Sequence, residues 1–472
     1  MGGQKMRDNL IHISPFQMLD IISFEGHQKI NEHGWVSFSG HINQEVEKTC
    51  ISIAQQENPI IKVSISDENG AKKLLFAGVL TDMSITTQNQ LKRLDATVMT
   101  GSYLMDLNPH IRSFQSPALN YGNVMNVLTQ GYQQASFAMN IGNEEPIPGL
   151  ILQYQETDWQ FAKRMASRFN TVLIPNGLSG YPFCDFGLFE QSGQHAISSQ
   201  TYCVSKRVGS YLYNRQNGVP GQSESDLTFY LHQSRDVFVL GECLQFNGQP
   251  LYVCAIDTEL IGAELYHTYT LSRKEGLLVP KEYNLKMIGN SLLGKISAVQ
   301  KAVVQISIDK DENKSAGVRW FPYSTIYSTP DGTGWYCMPE VGDTIRLYAP
   351  SEHDEDAYVA NSVHLPLLTG PERSNPDFKS IMNKQRKEVL FTPGSILMTN
   401  NSGMSIELSD QEGIKVISDK AIKICSESSV EITSTTSTVS VTAPKRIIMR
   451  QGETEMDMQD KLSFKGAQVH LD

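Results

Sequence analysis

The chain has 472 residues, 40% apolar and 19% charged, which leaves room for two to four ordinary domains. Its net charge of −11 comes with no basic stripe, so nucleic-acid binding lacks an electrostatic footprint. Thirty-five glycines, twenty prolines and many β-branched residues point to an all-β protein.

Seven cysteines, at 50, 184, 203, 243, 254, 337 and 425, are odd in number and widely spaced, with no CxxC. That argues against a disulfide framework or a zinc cluster, and for folding in a reducing cytosol. The opening "MGGQKMRDNLIHISPFQML" has no apolar run of signal-peptide length. No stretch approaches the ~18 apolar residues of a membrane span. Work outside the cell would then need a machine to carry the protein there.

In chain order, residues 10–107 read as strands with turns. "ISIAQQENPIIKVSISDENGAKKLLFAGVLTDMSITT" alternates and breaks at Asn69-Gly70, a hairpin signal. Two helices are predicted next. The first covers about Tyr121–Gln130, with Val124, Val127 and Leu128 on one face. The second follows "ETDWQFAKRMASRF". Thr157 stands three residues before Gln160, the spacing of a capping box, and Phe161, Met165 and Phe169 share a face. Trp159, Phe161 and Met165 are expected in the core.

Residues 195–290 return to strand patterns such as "DVFVLGECLQFNGQPLYVCAID". From 291 to 365 comes a compact run of strands: "GKISAVQKAVVQISID", "GVRWFPYST", "GWYCMPEVGDTIRLYAP" and "AYVANSVH". A polar, proline-containing stretch, Leu365–Lys387, follows.

The last eighty-odd residues form a ladder. "SGMSIELSDQEGIKVISDKAIKICSESSVEIT" carries one apolar–x–apolar dyad every eight residues: Ile406/Leu408, Ile414/Val416, Ile422/Ile424 and Val430/Ile432. Upstream lie Val389/Phe391 and Ile396/Met398. Downstream lie Val439/Val441, Ile447/Met449, Met456/Met458, Leu462/Phe464 and Val469/Leu471. Such a dyad puts both apolar side chains on one strand face and the middle residue on the other. From Glu407 onward the middle residues are polar, with Ile448 the exception.

Repeats of this kind belong to quasi-one-dimensional architectures. Two apolar residues per eight are too few for a single chain to bury a face. Three chains wound about one axis gather about six apolar side chains per level, each gaining roughly 1.5–3 kcal/mol on full burial. The expected fold is therefore an intertwined trimeric β-helix or β-prism whose core includes the dyads from Ile406/Leu408 to Val439/Val441 and Val469/Leu471.

Three further stretches carry a family resemblance. They are "LFAGVLTDMSI" (Leu75–Ile85), "SYLMDLNPHIRSFQSPALNYGNVMNVLTQGY" with "LILQYQETDWQFAKRMASRFNTVLIP", and "GWYCMPEVGDTIRLYAPSEHDEDAYVANSVH". In this order, ahead of a repeat needle, they resemble the VgrG-type spike proteins of contractile injection systems and the fused hub and spike proteins of contractile phage tails. The tryptophan-rich signature of the family's small barrel is reduced here to "VRWFPYST" and "GWYC". The subfamily stays open between type VI secretion, extracellular injection particle, tailocin and phage.

The resemblance implies a mainly β protein with a hub of two β-barrels plus small helices (1–290), an OB-fold barrel (291–365), a linker (366–388) and a trimeric β-helix spike (389–472). It implies a homotrimer that adapts a sixfold tail tube to a threefold needle. The implied partners are the tube protein, baseplate proteins and a PAAR-like tip protein, with the target membrane punctured mechanically. The chain would be made and folded in the cytoplasm, then built into a contractile particle.

Sites of chemistry are sought with little return. Phage relatives can carry a peptidoglycan hydrolase between small barrel and needle, but only about two dozen residues occupy that gap, and none is expected after the needle. "SEHDEDAY" (Ser351–Tyr358) crowds five titratable residues, yet lacks the glycine turn and alternating ligands of a calcium loop. A solvated hairpin loop is the expectation there. His470, a middle residue, is expected to face solvent, and no His-x-His is present for tip iron. No GxSxG, HExxH or GxxxxGK[ST] occurs, although triads need not be local in sequence. No enzyme and no cofactor is expected. A carbohydrate-binding or carbohydrate-cleaving tailspike is the alternative, but it needs a wide β-helix face. A trimeric adhesin would need a secretion signal and an anchor.

Overall fold

A computed structural model describes residues 11–16, 20–66, 71–189, 195–329, 331–362, 375–465 and 468. It forms two compact units, Met1–Leu365 and Pro366–Asp472.

The first unit is built on a 12-stranded, largely antiparallel sheet. Its two halves each wrap a core of their own. In the first half, Leu91–Met99 alternates inward and outward, so Leu94, Ala96 and Val98 pack with Phe24, Phe38 and Phe76. Gly78 lies in the long strand Lys72–Gln88, where a Cβ would sit 2.2 Å from the Met99 carbonyl oxygen. Only glycine allows that approach. Asn69-Gly70, read as a hairpin turn, lies outside the described residues.

One segment read as strand is a helix. In α1 (Gln44–Ala54), the Asn43 side chain accepts from the Val46 amide, and Val46, Cys50 and Ile53 face the core. The period-two pattern of Ile51-Ser52-Ile53 suggested a strand. The longer 3.6-residue spacing and the N-cap outweigh it.

The second half pairs Cys243–Phe246, Gln249–Ile261, Glu264–Ser272 and Thr228–Ser234 around Leu251, Val253, Tyr269 and Leu271. It joins the first half where Gln249–Ile261 runs antiparallel to Asp20–Lys29.

Helices α2 (Tyr121–Thr129) and α3 (Asp158–Ser167) carry a third core with Phe114, Leu128, Phe161 and Met165. Both open on reciprocal capping boxes, Asn120/Asn123 and the expected Thr157/Gln160. Trp159, Phe161 and Met165 are all buried. A fourth helix, α4 (Val208–Gln216), falls within the stretch read as strands. Its single buried residue, Asn214, leaves no apolar stripe to announce it.

Ser291–Gln300, Val303–Ile308, Phe321–Ser324, Thr344–Tyr348 and Tyr358–Ser362 close a five-stranded barrel. The third strand pairs in parallel with the fifth, and the fourth returns to the first. This is the strand order of an OB-fold, filled by Ile296, Val304, Ile306, Ile345, Leu347 and Val359.

In the second unit, five short strands form an antiparallel meander: Lys379–Met382, Glu388–Thr392, Ser395–Thr399, Met404–Ser409 and Gly413–Ser418. No strand is assigned from 419 to 446. Ile447–Gln451, Thr454–Met458 and Leu462–Lys465 then form a second small meander.

Candidate functional site

The ladder meets itself in register. Val389 lies opposite Met398, and Phe391 opposite Ile396. Ile396 and Met398 in turn oppose Leu408 and Ile406, which oppose Ile414 and Val416. Residues directly opposite one another in an antiparallel pair share a face. All these dyads therefore stand on one side of the sheet, and Glu407 opposes Lys415 on the other.

Among the described residues nothing covers that apolar face. Ile406 and Leu408 are 42% and 44% exposed, Ile414 and Val416 74% and 54%. Fully burying one such side chain is worth about 1.5–3 kcal/mol, and a face of this extent marks a surface that something else covers. The dyads Ile422/Ile424, Val430/Ile432 and Val439/Val441 are exposed as well, on a stretch without a strand. In the second meander Ile447 opposes Met458 and Met449 opposes Met456. Val469, His470 and Leu471 lie outside the described residues.

The acidic loop after the fourth barrel strand differs from expectation. Asp354 is 1% exposed rather than solvated. Arg164 donates to it at 3.1 Å and Arg168 at 2.6 Å. Arg164, itself buried, also donates twice to the Glu156 carboxylate at 2.8 Å and to the Leu152 carbonyl. Burial works against the Arg164 charge, but Asp354 and Glu156 outweigh it and hold its pKa above the ordinary value. A second polar seam joins the barrel to strand Pro109–Phe114. Glu312 accepts from the Ile111 amide and lies 2.6 Å from His110 Nδ1, and Asn313 donates to the Ser113 carbonyl. These carboxylates serve as clamps between the barrel and the rest of the first unit. Among the described residues no group of three or more His, Cys, Asp or Glu is placed to hold a metal.

One side-chain row escapes any motif search. Ser102 Oγ lies 2.9 Å from His33 Nδ1, and His33 Nε2 lies 3.3 Å from Asp106. The parts are those of a nucleophilic relay, but Ser102 is 1% exposed and its hydroxyl is shared with Thr100 at 2.9 Å. Burial, ahead of the raising effect of Asp106, lowers the His33 pKa. The row ties the short turn Gly101–Asp106 to the sheet.

No protein-family model matches the chain, and no curated protein is similar enough in sequence to match. Solved structures do match. The E. coli c3393 protein is a component of the type VI secretion system with structural similarity to the T4 bacteriophage tail proteins gp27 and gp5. It aligns with a TM-score of 0.52 and 11% identity, over 75% of this chain and 99% of that one. The half-lidded Francisella PdpA–VgrG complex contains a chain aligning at 0.51 and 11% identity, over 86% of this chain and 87% of that one. For its lidded form the values are 0.53, 10%, 84% and 76%. At these identities the likeness establishes the fold alone, a mainly β fold shared with the c3393 protein and the chain of the PdpA–VgrG complex.

Proposed function

We propose that this chain is the central hub and spike of a contractile injection machine, of type VI secretion, extracellular-particle, tailocin or phage kind, and that it works as a homotrimer. The observation that carries the reading is the apolar face on which Ile406, Leu408, Ile414 and Val416 stand in register, uncovered among the described residues. Two further copies would cover it and occupy strand edges that otherwise invite aggregation. The number three comes from the VgrG-type resemblance.

In this reading residues 1–290 form the hub that meets the tube, 291–365 the collar, 366–388 the linker and 389–472 the needle. Ile422, Ile424, Val430, Ile432, Val439, Val441, Val469 and Leu471 continue the needle core. The work is mechanical: sheath contraction drives a stiff prism axially through a target envelope, without bond-making chemistry. Tube, baseplate and a PAAR-like tip protein are the proposed partners. Synthesis and folding take place in the cytoplasm before assembly into the particle.

Sedimentation of the purified full chain tests the oligomer. A species of three times the 52.7 kDa chain mass is expected at micromolar concentration. A stable 52.7 kDa species overturns the reading.

A further inference from the structure

A cavity of about 150 Å³ lies within the first unit, lined from both halves of the large sheet. Two buried polar side chains line it. His267 is 1% exposed, its Nδ1 lies 2.9 Å from Thr258 Oγ1, and its Nε2 has no hydrogen-bond partner. Asp185 is 5% exposed. Its strand neighbours Cys184 and Phe186 belong to the helical core, so alternation turns Asp185 to the opposite side, toward the cavity. Phe189, Phe238 and Tyr269 supply aromatic wall. The Tyr269 hydroxyl is already engaged, donating to the Asp236 carbonyl at 2.6 Å and accepting from the Phe238 amide at 3.1 Å.

The two buried polar side chains, His267 and Asp185, present acceptors to the cavity. Burial, then the nearby charge of Lys73, pushes the His267 pKa down to about 4, so the ring is neutral near pH 7. The tautomer with its proton on Nδ1 donates to Thr258 and leaves the Nε2 lone pair pointing at nothing. Burial, ahead of the lowering effect of a hydrogen bond from Asn140, pushes the Asp185 carboxyl up to about 6, so near neutral pH it is mostly a carboxylate with acceptor capacity beyond that one donor. Lys73 lines the same cavity but turns its ammonium to the Val237 carbonyl at 3.1 Å. A chamber with aromatic walls, an unmet acceptor on His267 and spare acceptor capacity on Asp185 fits a ligand that brings N–H donors and a compact apolar body.

We propose that this cavity binds a small primary amine with an aromatic or aliphatic body, its ammonium held by Asp185 and His267 Nε2 and its body against Phe238 and Tyr269. The inference is independent of the spike reading and would stand if the oligomer proved otherwise.

Calorimetric titration of the full chain near neutral pH tests it with three probes of one shape: 2-phenylethylamine, 2-phenylethanol and 3-phenylpropanoate. The amine is expected to bind saturably, the alcohol more weakly and the carboxylate not at all. Asp185→Asn should weaken the amine at least tenfold, as loss of a charge-assisted bond does, and leave the alcohol unchanged. Thermal unfolding of the variant checks that it folds. If it does not, the probe series on the unaltered chain decides alone. Carboxylate binding equal to that of the amine, unchanged amine binding in a folded Asp185→Asn chain, or no saturable heat from the amine overturns the proposal.

Discussion

Leu408 lies directly opposite Ile414 across an antiparallel pair, and both side chains stand on the same uncovered face. Leu408 opposes Ile396 in the same way on its other side. The pairing is dyad to dyad across four consecutive strands of the meander. A slip of one residue would put Glu407 or Lys415 on that face and scatter the apolar set.

Arg164 should be among the costliest residues to remove from the first unit. It is buried between Glu156 and Asp354, which is 190 residues away in sequence. Arg164→Ala leaves the Glu156 carboxylate buried without its arginine and Asp354 with Arg168 alone, a loss of about 3–5 kcal/mol. Urea unfolding checks this: the midpoint should fall with little change in slope. A midpoint shift equivalent to less than about 0.5 kcal/mol, the range of an ordinary surface change, would contradict the clamp.

Thr157→Ala should cost about 0.5–2 kcal/mol through loss of the α3 cap. The Thr157 hydroxyl accepts from the Gln160 amide at 3.1 Å and donates to Asp106. Thr157→Ser keeps both bonds and should recover most of the loss. Equal thermal midpoints for the alanine and serine variants would show that the hydroxyl does not matter.

Asp185 and His267 should give pH dependences of opposite sign. Burial raises the Asp185 pKa to about 6, so between pH ~4 and ~6 the folded state holds more protons than the unfolded, and stability falls as pH rises. Burial lowers the His267 pKa to about 4, so between pH ~4 and ~6.5 the unfolded state holds more protons, and stability rises with pH. Each amounts to ~1–3 kcal/mol over its window. Thermal midpoints recorded from pH ~4 to ~7 should therefore differ in slope between the unaltered chain and the two variants. Relative to the unaltered chain they should climb more steeply with pH in Asp185→Asn and less steeply in His267→Gln. Parallel profiles for the two variants would contradict the assignment.

Much of this architecture was legible because its signals are local. The Thr157/Gln160 box, the alternation in Leu91–Met99 and the dyad spacing all read on one strand or one turn. Helix α1 was obscured because Ile51-Ser52-Ile53 fits both periods over three residues. Helix α4 was missed because it buries almost nothing. The acidic loop was read as solvated since nothing near Asp354 in sequence announces two arginines. Likewise, the cavity holding Asp185 and His267 assembles from strands far apart in the chain, a relation that only the fold creates.

The central claim is that the C-terminal ladder finds its interior only among copies of itself. It is tested most directly by paired substitutions one residue apart, read by sedimentation. Ile424→Asp puts a charge where the dyad register places the shared core, and should abolish the trimer. Lys423→Asp, on the opposite side, should sediment like the unaltered chain. Equal behaviour of the two, both trimeric or both dissociated, would contradict the register and with it the needle.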